Sequence, residues 1–466
     1  MSQPRPSPRS GGSPAPEHPT PSGELADRTL RKVRRRILPL VVVLYLIAYL
    51  DRNNVGFAKA ALGRDLGLDD TAYGFGAGLF FLGYVLLEVP SNAGMARFGA
   101  RKWIARILLS WGILATAMTL VTGATSFAAL RFLLGAAEAG FFPAVVFYLT
   151  LWFPAAQRAA ALGVFVLAQP VANAFGAPVS GLLLTLDGVW GLHGWQWMFL
   201  VEGLPAIVLG ILAPRLLTDR PAQATWLRPE EREWLTGVMD AELAAKRSRA
   251  RRPFLAGLRD RRALVYGLLN FGMVCGVYGL GLWLPAIVGA LGHFGTAGLG
   301  LVVMIPYLVA IPCVHHWSRR ADRTGRYAWH ATVSLVLAAA GLAGAGLTLG
   351  ASPVLALVCL SAGAIGVYSA IAPFLAMPAA VFAGAAAAAS LGLVNALGNL
   401  GGFVAPYVVG LLTHATGSSR LALLFLAACL ACAGLLGHRY ARHRPEGAPR
   451  ADNPRTARRT RSCPRP

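Results

Sequence analysis

Long apolar runs recur along the chain, separated by short polar stretches. A helix rises about 1.5 Å per residue, so roughly 20 apolar residues cross a bilayer core about 30 Å thick. About twelve runs meet that length rule, at 37–59, 71–91, 103–122, 127–149, 159–184, 196–214, 263–290, 297–317, 328–349, 352–374, 386–412 and 420–437. Stretches such as "LALLFLAACLACAGLLG" do not alternate apolar and polar positions as the strands of a membrane barrel do. The pattern predicts an all-α integral membrane protein with twelve transmembrane helices in two six-helix halves.

Composition agrees. Hydrophobic residues make up 55% of the chain, charged residues 14%, and the mean hydropathy is +0.54, too apolar for a soluble enzyme or a nucleic-acid binder. The net charge of +22 is concentrated at the ends: residues 1–36 contribute +5 and residues 438–466 contribute +7. Both ends are rich in Pro, Arg and small polar residues and are expected to be disordered cytoplasmic tails. The first has no apolar core of the kind a cleaved signal peptide carries.

Lys and Arg collect on cytoplasmic loops, which orients the bundle. They cluster after the second run (Arg97, Arg101, Lys102), after the eighth (Arg319, Arg320, Arg323, Arg326) and in the central segment 215–262, which has twelve Lys/Arg against seven Asp/Glu. Both termini and the central loop are therefore expected on the cytoplasmic side of the plasma (inner) membrane, with halves at 37–214 and 263–437. The stretch "LRPEEREWLTGVMDAELAAKRSR" has the charge order of a surface helix and is expected to tether the halves. A weak repeat supports the division: "ARFGARKW" follows the second run and "ADRTGRYAW" the eighth, each with a basic residue on either side of a Gly.

A charge inside a span costs a few kcal/mol or more, so those retained usually face a cavity. Here they are one-sided. The first half holds Asp51, Arg52, Glu88, Arg131, Glu138 and Glu202, whereas spans seven to eleven have no Asp, Glu, Lys or Arg. Helical rise places Asp51, Arg52, Arg131 and Glu138 at overlapping depths, and the seven-residue spacing of Arg131 and Glu138 puts them on one helix face.

Arginine can grip a carboxylate through its planar fork, and a desolvated Asp or Glu can carry a proton. Such a cavity would bind an organic anion and protons together. The competing reading is a pair of internal salt bridges fastening the first span to the fourth.

Glu88 lies near the basic loop and is expected to latch to Arg97, Arg101 or Arg158; for Glu202, structural and functional roles stand level. In the second half the candidates are neutral: Asn270, Tyr278, and Asn395 and Asn399, which share one helical face, with close helix packing as their alternative. His315 and His316 read as an interfacial pair, and Cys429 and Cys432, inside an apolar run, as packing residues. No metal site is expected. Nor is an enzyme, since neither H-E-x-x-H nor a Ser nucleophile motif occurs.

The stretches "YLDRNNVGFA", "EVPSN", "RFGARKW", "RFLLGAAEAGFFPA", "GWQWMFLVEGLPA", "YGLGLWLPAIV", "SRRADRTGRYAWH" and "VNALGNLGGF", in this order, resemble the anion:cation symporter family of the major facilitator superfamily. The resemblance runs from about Leu38 to about Gly437 and is carried jointly by these motifs. It implies proton-coupled import of a small organic anion (a sugar acid, tartrate or an aromatic acid) by alternating access. No cofactor is implied, since the proton gradient supplies the energy. The expected partners are the anion, protons and the lipid bilayer, with no nucleic acid, and a monomer is expected.

By the same resemblance Arg52 and Arg131 would bind the carboxylate, Asp51 and Glu138 would take up protons, and Gln169 would contact the substrate, with Tyr49 and Asn399 as further contacts; Asn395 is a substrate-binding candidate as a polar residue of the second half. Arg97, Arg101, Asp322, Arg323 and Arg326 would form the cytoplasmic loop motif. Two departures stand out: Ala96 replaces the acid of the first loop motif, and Leu375 replaces a Trp common in relatives. A uniporter or exporter of the same fold, or a transporter-like sensor, remain the alternatives.

Overall fold

The computed structural model describes residues 23–248, 260–382 and 385–442; the outer parts of both expected tails and the stretch 249–259 lie outside the described residues. The α-helices among them are α1 (Gly23–Leu66), α2 (Asp70–Phe98), α3 (Ala100–Ala117), α4 (Ala124–Glu138), α5 (Phe141–Trp152), α6 (Ala155–Leu183), α7 (Gly194–Leu216), α8 (Pro229–Ser248), α9 (Arg261–Gly289), α10 (Thr296–Thr324), α11 (Tyr327–Thr348), α12 (Pro353–Val381), α13 (Ala385–Thr416) and α14 (Arg420–Arg442). No strand occurs among the described residues.

Among the described residues, eleven stretches are long and apolar enough to cross a membrane, α4 and α5 together forming one, Ala124–Trp152. The twelfth expected crossing is α1, which is charged over its first turns and again at Asp51 and Arg52. It runs through the bundle against α6, α7 and α9.

Helices α1–α7 pack mainly on one another, through α3 on α7 and α2 on α4, and α9–α14 do likewise, through α11 on α12 and α9 on α13. The two groups meet along α2 with α13, α6 with α10, and α1 with α9. At the end carrying the α1–α2 connection, the outer end by the charge rule, backbone packs on backbone. A Cβ at Gly74, Gly410, Gly181 or Gly300 would run into the main chain of Pro406, Asp70, Thr296 or Ala177, respectively. That end is shut.

Three expectations are corrected. Residues 23–36 are not a disordered tail: they extend α1, because α8 gives their charges partners. Nor is α8 a free tether. Its Glu231 side chain is fully buried, receives Lys32 Nζ at 2.8 Å and Arg28 Nε at 3.0 Å, and accepts from the Arg228 N–H at 3.0 Å. Glu242 accepts from the Ala155 N–H at the start of α6 (2.8 Å) and from Arg158 Nη2 (3.1 Å).

The third correction is to the helix of the fourth span, 127–149, which stands as one crossing, Ala124–Trp152. That helix breaks after Glu138, where Gly140 takes a φ of +84° and restarts the chain as α5. The repeated basic-Gly-basic pattern also has a physical cause. Gly99 (φ +86°) and Gly325 (φ +66°) each allow the tight turn that ends one helix and begins the next.

Candidate functional site

Four ionisable side chains meet at the middle of the bundle, all of them in the first helical group. Asp51 (2% exposed) and Arg52 leave α1 in different directions. The Trp111 indole of α3 donates to Asp51 Oδ2 at 2.6 Å, and Asn54 Nδ2 approaches Oδ1 at 3.5 Å. Arg52 donates from Nη2 to Glu138 Oε1 of α4, forming an ion pair, and from Nη1 to the Tyr278 hydroxyl of α9 at 2.7 Å. Tyr49, one turn earlier on α1, places its hydroxyl 3.3 Å from that of Tyr278.

Around the Arg52 guanidinium stand the rings of Tyr49, Phe80, Tyr84 and Tyr278, with centres 5.1–5.8 Å away. This cage lowers the cost of burying the cation.

Arg131 differs. It is 1% exposed and lies 4.8 Å from the centre of the Phe80 ring, yet its Nε and Nη2 have no hydrogen-bond partner, and it is in no ion pair among the described residues. Glu138 Oε2 is likewise buried without a partner. A buried guanidinium left short of hydrogen-bond partners is costly unless an anion visits it.

Beside this cluster lies a narrow cavity reached by Asn53, Asn54, Asn173, Ser180 and Tyr307, with Tyr49 forming part of its wall. Asn53 Nδ2 donates to Asn173 Oδ1 (2.6 Å), and Asn173 Nδ2 donates to the Tyr368 hydroxyl of α12 (2.8 Å), so a polar chain crosses from one helical group to the other.

Five of the candidate residues are thus brought together: Tyr49, Asp51, Arg52, Arg131 and Glu138. Gln169 is buried on α6, one turn before Asn173. Asn395 and Asn399 lie beside Glu88, one turn of α2 beyond Tyr84 of the Arg52 cage: Asn395 Nδ2 donates to Glu88 Oε1, and Asn399 adjoins the same carboxyl. Glu88 therefore does not latch to the basic loop as expected, because its helix face meets α13; Arg101 and Arg158 pair instead with Asp219 and Glu242. Trp111, Asn54, Asn173 and Tyr368 were not singled out by sequence. The available signal was an indole or amide deep within an apolar run, where a buried N–H needs an acceptor.

Residues 41–406 match the Major Facilitator Superfamily. The chain belongs to that superfamily. It is 44% identical over 427 residues (91% of this chain, 97% of the relative) to a "Putative tartrate transporter" of Agrobacterium vitis. It is 42% identical over 399 residues (85% and 91%) to a "Quinolone resistance transporter" of Acinetobacter baumannii. Among solved structures it resembles the partially occluded inward-open xylose transporter XylE of E. coli, with a TM-score of 0.69 at 15% identity over 88% of this chain and 99% of that one. The protein is a multi-pass membrane transporter of the major facilitator fold.

The superfamily's loop motif can now be placed. Beside the first loop, where Ala96 stands, Asp219, just beyond α7, accepts from the Arg101 N–H at 3.0 Å and pairs with its guanidinium at 3.4 Å. Arg97 packs over Phe98 (5.4 Å). In the second loop Tyr327 donates to Asp322 (3.3 Å), Arg326 lies over Trp329 (5.7 Å), and Arg323 is exposed in the last turn of α10.

Proposed function

We propose that this transporter imports a small organic carboxylate with protons across the inner membrane, by alternating access. The observation that carries the reading is Arg131, a buried guanidinium with two unpartnered nitrogens next to the Arg52–Glu138 pair. With Asp51 and Glu138 ionised the four-residue cluster is neutral. Protonating both acids leaves two cations and releases Arg52 from Glu138, so proton uptake prepares the site for an anion. Loss of the protons inside restores the ion pair and expels the carboxylate. Arg52 and Arg131 bind the substrate, Asp51 and Glu138 carry the protons, and Tyr49, Tyr278 and Gln169 line the approach. The name of the Agrobacterium vitis relative supports a carboxylate cargo, with tartrate first among candidates.

The test is the external pH of lightly buffered, de-energised cells making the protein, as tartrate, galactonate, phthalate and 4-hydroxyphenylacetate are added singly. Alkalinisation with one acid, lost in Asp51→Asn, is the expected result; silence with every acid, the protein being present in the membrane, rejects the reading. The second reading is export, favoured by the name of the Acinetobacter baumannii relative. It predicts lower accumulation of a quinolone in expressing cells, restored by Arg131→Gln.

A further inference from the structure

Glu202 on α7 takes no part in the scheme above, yet it is 3% exposed in the middle of the first helical group. Ser180 Oγ of α6 donates to its Oε1 at 2.8 Å, whereas its Oε2 has no partner. Asn54 of α1 lies beside the same carboxyl while its amide nitrogen points to Asp51 Oδ1, so one side chain adjoins two buried acids. Asn54 Oδ1 is also buried without a partner.

Glu202 Oε2 is thus a carboxyl oxygen buried with no donor within hydrogen-bond distance. Ionisation would place charge on an oxygen that nothing there satisfies, whereas the neutral acid avoids that cost. Ser180 and Asn54 both line the narrow cavity, so the two side chains adjoining Glu202 are also the ones that adjoin that space. On the α3 side Gly203 packs against Thr116, whose hydroxyl is buried without a partner. Asp51 is the titratable group that faces Glu202, and Arg52 and Arg131 act on Asp51 in turn.

We propose that Glu202 is a third proton-binding carboxyl of the transport cycle, reached from the cavity past Ser180 and linked to Asp51 through Asn54. It takes one proton from water to become the neutral acid and returns it to water when the cycle opens inward; no other bond changes. The inference rests on the proton-coupled reading for its role in transport, but the protonation itself can be read without any substrate.

Two measurements on purified protein in liposomes separate them. The first is the infrared difference spectrum between acid and neutral pH, with protons as the only ligand. A protonated-carboxyl band that disappears in Glu202→Gln, moves in Glu202→Asp and shifts in Asp51→Asn is expected; a Glu202→Gln spectrum superimposable on wild type overturns the proposal. The second uses tartrate. Glu202→Gln, which can still accept from Ser180, should exchange tartrate across the membrane within about twofold of wild type, while moving one proton fewer per tartrate in net uptake. An unchanged proton ratio makes Glu202 structural. If wild type moves tartrate without protons, the symport reading fails, and the infrared band alone decides whether Glu202 titrates.

Discussion

The two helical groups handle polarity in opposite ways. Helices α1–α7 bury Asp51, Arg52, Glu88, Arg131, Glu138 and Glu202, whereas α9–α14 bury, among the described residues, neutral groups such as Asn270, Ser334, Ser369 and Tyr368, with no Asp, Glu, Lys or Arg. The division extends to the contacts between them. Arg52 meets Tyr278, Glu88 meets Asn395, Asn173 meets Tyr368, and Lys59, paired with Asp70 on its own side, lies 4.8 Å from the centre of the Trp283 ring. Each pairs a group of the first half with a neutral partner of the second. Breaking an ion pair within a membrane core leaves two bare charges, but breaking these leaves at most one. Under the alternating-access cycle proposed above, in which the halves part and rejoin, contacts of the second kind join them better.

The largest effect should come from removing charge within the first group. Arg131→Gln leaves the helices in place but takes away the unpaired guanidinium. Losing one partner of a buried charge contact costs about 2–5 kcal/mol, a weakening of carboxylate binding of roughly thirtyfold or more. Transport assays with the protein quantified in the membrane check this, and wild-type uptake by Arg131→Gln would remove that residue from the site. Arg52→Ala should be at least as severe, since it also strands Glu138.

On the neutral side the effect should be smaller. Tyr278→Phe deletes the hydroxyl that receives Arg52 and faces Tyr49, a hydrogen bond to a charged group worth about 1.5–3 kcal/mol. Apparent substrate affinity should fall roughly tenfold or more, with the charged cluster intact. A loss as complete as that of Arg131→Gln would break the comparison, because the second half would then be as much a part of the anion site as the first.

The charged cluster was legible in the sequence because charge inside an apolar run is costly wherever it occurs, and the spacing of Arg131 and Glu138 fixes their shared face without knowledge of the fold. The span count was legible for the same reason. What escaped depended on partners distant in the chain. Residues 23–36 look like a polar tail until Glu230 and Glu231, some 200 residues later, neutralise Arg28 and Lys32. Asp219 looks like a loop acid until the fold sets it against Arg101. Asn395 and Asn399 share a helix face, as expected, but which helix that face meets is decided by the packing of α13 on α2.

Asn395→Ala probes the contact of α2 with α13 at Glu88. It removes the amide that serves Glu88 and should cost about 1–2 kcal/mol at the α2–α13 contact. Substrate affinity should stay within about threefold of wild type, and the rate of exchange across the membrane should change instead. A large loss of affinity would place Asn395 at the anion, as the sequence suggested, rather than at the seam.

The smallest effect on transport should come from the charge-rich collar of α1 and α8, which contrasts with the core in facing water. Burial opposes ionisation of Glu231, but Lys32, the Arg228 N–H and Arg28 together hold its carboxyl below the usual range. A lowered value in the folded state means that this docking is fully present above the ordinary Glu pKa of about 4.3 and is lost as the pH falls through the lowered value. Its partners Lys32 and Arg28 are well exposed, so solvent screens much of the pairing. Glu231→Gln should therefore expose α8 to limited proteolysis at neutral pH, where wild type resists until strongly acid conditions, and should leave uptake within about twofold. Abolished uptake in Glu231→Gln would mean that the collar governs the cycle as strongly as the buried arginines do, and the contrast between a functional core and a supporting rim would fall.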